Sequence, residues 1–156
     1  MARVTLIASG AGYGGYGVNN TPTFGVGAFE WVEQGGVWAL AILRGGAEYG
    51  EKWHREGMLG NKQNVFDDFI AAAEKLISDG YTQPRKLAIF GGRNGGLLVA
   101  ACMLQRPDLY GAVLCAVPVT DMLRFKLYTA GRFWVDEYGD ADLPDHFRFL
   151  YAYSPL

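Results

Sequence analysis

A glycine-rich turn at residues 90–96 combines residue types and spacing that could perform chemistry. The segment reads FGGRNGG and lies between an apolar strand and an apolar helix. A strand, a tight turn and a helix with small flanking residues are typical of the nucleophile elbow, G-x-S-x-G, which raises its central side chain above a sheet. The backbone N–H of the next residue, Asn94, would then point toward a developing oxyanion. The centre of this turn is Arg93 rather than serine.

The same turn also fits a purely structural role. Gly95 and Gly96 could allow a helix to pack closely against a sheet, with no chemistry at the turn. The turn alone favours neither interpretation over the other.

A second glycine-rich loop, at residues 10–15, reads GAGYGG and follows an apolar strand. It matches G-x-G-x-x-G, the dinucleotide fingerprint, in which a following helix holds the pyrophosphate at its N-terminus. The next residues read YGVNNTP and do not favour a helix start. Dinucleotide binding is therefore not expected, and the sequence predicts no cofactor.

Four short apolar runs predict the strands that would hold these loops, at residues 4–8, 37–42, 86–90 and 112–117. Helices are expected from Phe24, from Asn64 as N-cap, and from Leu97 to Leu104. A long loop is expected at 43–63, and loops of this length inside a compact domain are usually functional. Strands that alternate with helices indicate a parallel sheet with right-handed crossovers. The fold class predicted is α/β, a three-layer αβα sandwich in one domain over residues 1–156.

The overall composition argues against several classes of protein. The formal net charge is −2, so there is no basic footprint for nucleic acid. No apolar run approaches the roughly 20 residues of a membrane span, and the N-terminus does not resemble a signal peptide. Cys102 and Cys115 lie in apolar runs and are expected to be buried free thiols of a reducing compartment, which favours a cytoplasmic location. Two lone histidines and these cysteines lack ligand spacing, so no metal site is predicted.

Several separate motifs resemble the prolyl oligopeptidase family, in order and at matching spacing over nearly the whole chain. They are GG at 14–15, RGGAEYG at 44–50, WH at 53–54, NKQN at 61–64, FDDF at 66–69, QRPDL at 105–109, and the closing run from YG at 138–139 to YSPL at 153–156. The resemblance implies an α/β-hydrolase fold, a Ser-Asp-His triad, and cleavage after proline in short peptides. A β-propeller normally precedes the catalytic domain in that family, and none is expected in these residues. Because the family's catalytic Asp and His are expected further downstream, residues 1–156 are predicted to be a partial domain, incomplete at its C-terminal end.

The resemblance also assigns roles to individual residues. Arg93 stands where the family has its nucleophilic serine, while the Asn94 N–H and the Tyr13 hydroxyl would form the oxyanion hole. Trp134 would stack on the proline ring of the substrate, and three further residues would line the same pocket: Tyr16, Val119 and Tyr138. Without the resemblance, each aromatic residue would be interpreted as core packing.

Two departures from the family pattern bear on activity. A guanidinium stays protonated and has no available lone pair, so Arg93 cannot act as a nucleophile. The family's Asp and His lie downstream of its serine, and the chain is expected to stop before them. His146 is interpreted as an ordinary helix residue and His54 as a structural residue of the long loop.

The prediction is therefore a serine-peptidase catalytic domain that is inactive as written. Two alternatives remain open at this point: a non-catalytic domain that binds a proline-containing peptide or acts as a scaffold, and a truncated gene product. An incomplete sheet would also leave an edge and an apolar face uncovered, and such surfaces associate. The sequence thus predicts self-association as well.

Overall fold

A four-stranded parallel sheet lies at the centre of the structure. The computed structural model of the protein describes residues 4–8 and 14–156. The strands are β1 (Val4–Ala8), β2 (Val37–Leu40), β3 (Leu87–Gly92) and β4 (Ala112–Ala116). They lie in the order β2-β1-β3-β4, and each neighbouring pair is parallel. The predicted parallel sheet is confirmed.

Helices connect the strands and continue beyond the last one. They are α1 (Val26–Glu33), α2 (Glu51–Arg55), α3 (Gln63–Ser78), α4 (Asn94–Gln105), α5 (Val135–Tyr138) and α6 (Pro144–Tyr153). Short 3-10 turns cover Leu59–Asn61, Pro84–Lys86, Pro107–Leu109, Phe125–Leu127 and Gly131–Trp134. The segment 43–63, predicted as a loop, therefore contains α2 and a 3-10 turn.

Two helix starts differ from their prediction. Asn64 lies inside the first turn of α3, and its side-chain amide donates to the Glu56 carbonyl at 2.8 Å. The prediction of Asn64 as the N-cap is therefore wrong, and Lys62 is the N-cap. Helix α4 begins at Asn94 rather than near Leu97, because the glycines that follow Asn94 adopt helical geometry directly after the turn. The early start places the first turn of α4 against the end of β3.

The direction of the crossovers sets the layers. Helix α1 connects β1 to β2, and this connection runs toward one edge of the sheet. Helix α3 lies in the connection from β2 to β3 and helix α4 in that from β3 to β4, and both connections run toward the other edge. Right-handed crossovers therefore put α1 on the face opposite α3 and α4, which gives the αβα arrangement. Every residue of α4 from Asn94 to Cys102 is buried, against a stripe of α3 that comprises Val65, Phe66, Phe69 and Ala73.

The face on the α1 side is largely open. None of the residues of α1 is buried, and large apolar side chains are exposed there and along the sheet: Phe24, Phe29, Val32, Trp38 and Leu114. Cys102 is buried as predicted, but Cys115 is exposed, so that part of the prediction is wrong. The reason is that β4 is an edge strand among the described strands. In the described part of the chain, no helix combines the length and apolar character that crossing a membrane requires.

Candidate active site

The turn between β3 and α4 has the geometry of an elbow. Arg93 is held at φ +57° and ψ −116°, a region that costs a non-glycine residue about 1–3 kcal/mol. Two backbone hydrogen bonds hold it there: the Arg93 N–H donates to the Ala116 carbonyl at 3.0 Å, and the Leu97 N–H donates to the Arg93 carbonyl at 3.1 Å. The side chain of Arg93 is exposed above the carboxyl end of the sheet.

Glycines make this turn possible by removing side chains from two crowded positions. A Cβ on Gly91 would collide with the Gly95 carbonyl, because α4 comes back onto the end of β3. A Cβ on Gly96 would lie 2.9 Å from the Ala116 carbonyl oxygen. The two interpretations of this turn are therefore compatible, since close helix packing is what lifts Arg93 above the sheet.

A pocket of about 490 Å³ opens beside Arg93. Its lining includes every predicted site residue that the structure describes, together with one that the sequence did not suggest; the lining consists of Tyr16, Arg93, Asn94, Val117, Val119, Trp134 and Tyr138. Tyr13, predicted as an oxyanion donor, lies outside the described residues. Val117 directly follows β4, and the carboxyl ends of adjacent parallel strands meet at one edge of a sheet, which was a usable signal.

Aromatic rings form the apolar wall of the pocket. Tyr16 meets Tyr138 edge to face with 5.7 Å between ring centroids. Behind them, Phe125 is edge to face with Tyr138 at 5.4 Å and stacks with Trp134 at 6.5 Å. Tyr138 is fully buried, while Trp134 keeps a partly accessible ring. These residues thus pack against the core, as a structural interpretation requires, and also line the pocket.

Asn94 joins the elbow to this wall. Its side chain is buried, and Tyr138 Oη donates to Asn94 Oδ1 at 2.8 Å. Burial raises the pKa of Tyr138 well above its usual value, so its hydroxyl stays protonated and keeps donating. A Cβ on Gly15 would lie 2.7 Å from Asn94 Nδ2 and 3.0 Å from Glu137 Oε1, so glycine is needed where residues 14–15 pass this group.

A buried charged cluster, formed by Lys62, Glu137 and His54, supports the pocket from behind. Lys62 is 1% exposed and Glu137 is 4% exposed. Lys62 Nζ donates to the Gly14 carbonyl at 2.9 Å and to Glu137 Oε1 at 3.3 Å. His54 Nε2 lies 2.9 Å from Glu137 Oε2, within hydrogen-bond distance.

The charged cluster is joined directly to the pocket wall. Lys62 Nζ lies 5.4 Å from the centroid of the Tyr138 ring, and Glu137 lies between Trp134 and Tyr138 in the chain. Burial lowers the pKa of Lys62, and the Glu137 carboxylate opposes part of that shift. The cluster thereby links α2, the start of α3, α5 and residues 14–15. Sequence reasoning missed Lys62 and Glu137 as a pair, and no local pattern signals it.

The sequence model of the prolyl oligopeptidase family matches residues 22–156. The chain belongs to the prolyl oligopeptidase family. It is 50% identical, over 161 aligned residues, to a prolyl endopeptidase of Dictyostelium discoideum, an alignment that covers 99% of this chain and 21% of that protein.

Solved structures of the family agree with the fold. A prolyl endopeptidase at 56% identity gives a TM-score of 0.95, and a post-proline cleaving enzyme from Rickettsia typhi at 43% identity gives 0.94. Each alignment covers 99% of this chain and 22% of the other. The α/β-hydrolase fold is therefore confirmed, and the chain spans about a fifth of the length of these relatives.

Neither histidine of the chain lines the pocket. His54 belongs to the charged cluster, as described above. His146 Nδ1 accepts from the Asp140 N–H at 3.1 Å, and its ring packs against Phe149 at 5.2 Å. Among residues 4–8 and 14–156, no group of three or more His, Cys, Asp or Glu side chains is arranged to hold a metal ion.

Proposed function

We propose that residues 1–156 form part of a prolyl oligopeptidase-type catalytic domain whose pocket binds a proline-containing peptide without cleaving it. One observation carries this proposal: the pocket beside the elbow gathers Trp134, Tyr138, Tyr16 and Val119 around an arginine. The family relation supports the peptide class, since the relatives are prolyl endopeptidases.

The lining suits a proline residue. Its volume of about 490 Å³ lies within the range of roughly 300–1,000 Å³ that small-ligand sites occupy. A proline ring is apolar and has no N–H to satisfy, so it can lie on the accessible ring of Trp134 without losing a hydrogen bond. Asn94, in the first turn of α4, adds a polar residue to this lining.

The same residues argue against hydrolysis. Arg93 occupies the centre of the elbow, and its guanidinium has no lone pair to attack a carbonyl. A serine nucleophile needs an adjacent base, and neither His54 nor His146 lines the pocket. Oxyanion donors alone would leave about 10³–10⁴-fold catalysis over water, far below an ordinary peptidase.

A chromogenic anilide with proline next to the scissile bond tests both halves of the proposal. The purified chain should not release the chromophore, and calorimetry with an uncleavable proline peptide should show binding. Trp134→Ala should weaken that binding, whereas Trp38→Ala, which removes an exposed indole of β2 outside the pocket, should not. Arg93→Ser should not restore turnover.

Turnover at an ordinary rate of about 1–10³ per second would contradict the loss of catalysis. Binding that is unaffected by Trp134→Ala would contradict the assignment of the pocket.

A further inference from the structure

The guanidinium of Arg93 has no acidic partner in the described part of the chain. Other arginines pair with carboxylates: Arg44 with Asp68, Arg55 with Glu51, and Arg106 with Glu74 and Asp108. Within residues 4–8 and 14–156, the Arg93 side chain forms no hydrogen bond or ion pair, and the backbone of Arg93 bonds to Ala116 and Leu97. The lining of the pocket thus contains a cation, the Arg93 guanidinium, that no described acidic residue neutralises.

Glu137, the acidic residue nearest in sequence to the pocket wall, does not neutralise Arg93. Glu137 is buried and directs its two oxygens to Lys62 at 3.3 Å and His54 at 2.9 Å, so its charge is already compensated. None of the seven lining residues is acidic. The described lining of the pocket therefore carries the positive charge of Arg93 and no negative charge.

We propose that Arg93 makes this pocket a binding site for a free carboxylate, namely the terminal acid of a peptide whose last residue is proline. The guanidinium offers parallel N–H donors that match a carboxylate in a bidentate manner. The aromatic wall that holds the proline ring lies in the same cavity, so one ligand can engage both. The inference rests on the proposed function and narrows its ligand class.

The chemistry of this ligand also indicates its source. Hydrolysis of a peptide bond after proline leaves a free carboxylate on that proline and an amine on the following residue. An intact peptide chain at the same place carries a neutral amide and gives Arg93 no counter-ion. The pocket should therefore prefer the amino-terminal product of post-proline cleavage to its uncleaved precursor.

Calorimetry with N-acetyl-Gly-Pro as free acid and as carboxamide tests this directly at pH 7, where the terminal acid is ionised. The acid should bind about 10- to 100-fold more tightly than the amide, as a charge-assisted contact predicts. N-acetyl-Gly-Ala acid should bind more weakly than the proline acid, because it lacks the ring. These three titrations need no variant, so they do not depend on how a mutant folds.

Variants then assign the preference to Arg93. Arg93→Ser and Arg93→Gln should reduce the acid-to-amide affinity ratio to about 1. Arg148→Ser is the matched control, because it removes an exposed arginine of α6 that lies outside the pocket and should leave the ratio unchanged.

The outcomes separate the two proposals. Equal affinity for acid and amide in the parent chain, or a ratio that persists in Arg93→Ser, overturns the carboxylate site but leaves peptide binding intact. Absence of binding by both ligands overturns the proposed function and this inference together.

Discussion

Replacing Lys62 with methionine should destabilise the protein far more than a change at any exposed lysine. Lys62 is 1% exposed, yet its ammonium has two oxygen partners, the Gly14 carbonyl and Glu137 Oε1. Methionine has similar length and packs well in apolar surroundings, so the change removes the charge while largely keeping the volume. Its main effect is on the partners that are left behind.

The magnitude follows from what remains buried. Glu137, at 4% exposure, would be left with His54 as its remaining partner in the cluster, and the Gly14 carbonyl would lose a donor. Removing one partner of a buried ion pair costs about 3–5 kcal/mol. For a domain of this size, each kcal/mol corresponds to about 2–4 °C, so the melting temperature should fall by about 6–20 °C.

Urea unfolding followed by circular dichroism measures this loss. Lys75→Met is the matched control, because Lys75 forms an exposed i,i+4 pair with Asp79 at 2.9 Å, and such pairs contribute about 0.3–0.5 kcal/mol. The double variant Lys62→Met with Glu137→Gln should lose less than the sum of the single changes, since the stranded charge is gone. A loss below about 1 kcal/mol for Lys62→Met would refute the reasoning.

Two further predictions concern the open face and the buried tyrosines. Because Trp38 and Leu114 are exposed along the sheet, the chain should self-associate, which light scattering after size exclusion would measure. Leu114→Lys should reduce the self-association. A monomer at all concentrations would argue against this prediction. Burial raises the pKa of Tyr138 and of Tyr153, so the unfolded chain loses these protons first and stability should fall as the pH rises above about 10. Tyr153→Phe removes a hydroxyl that has no partner among the described residues. The substitution should lessen the slope of stability against pH by up to about 1.4 kcal/mol per pH unit. An unchanged slope would contradict the assignment of this pH dependence to Tyr153.

The parts of the fold that could be predicted are those encoded by local patterns. Continuous apolar runs marked all four strands, because the strands of a parallel sheet are rich in apolar residues throughout. Whether Cys115 is buried or exposed could not be predicted in the same way. Its exposure depends on whether another element covers β4, and nothing in residues 112–117 reports that.

The site was predictable to a similar extent. Glycine spacing around Arg93 indicated the elbow, and the resemblance to a family placed five more described residues that the structure does bring into one pocket: Asn94, Tyr16, Val119, Trp134 and Tyr138. Whether these residues bind a peptide stays a prediction until it is measured. That no described acidic residue pairs with Arg93 could be learned only from the tertiary structure, since the sequence contains 16 Asp and Glu residues.

The sequence by itself determined the alternation of strand and helix, the elbow turn, and the presence of an arginine at its centre, because each depends on residues close together in the chain. Tertiary structure alone decided which charges are neutralised. Lys62 and Glu137 are 75 positions apart, and His54 and Glu137 are 83 apart, so only the packed chain brings them within hydrogen-bond distance. Burial makes the loss of either partner costly, because it would strand the other charge away from water. With Glu137 committed to Lys62 and His54, Arg93 has no carboxylate partner among the described residues beside the pocket.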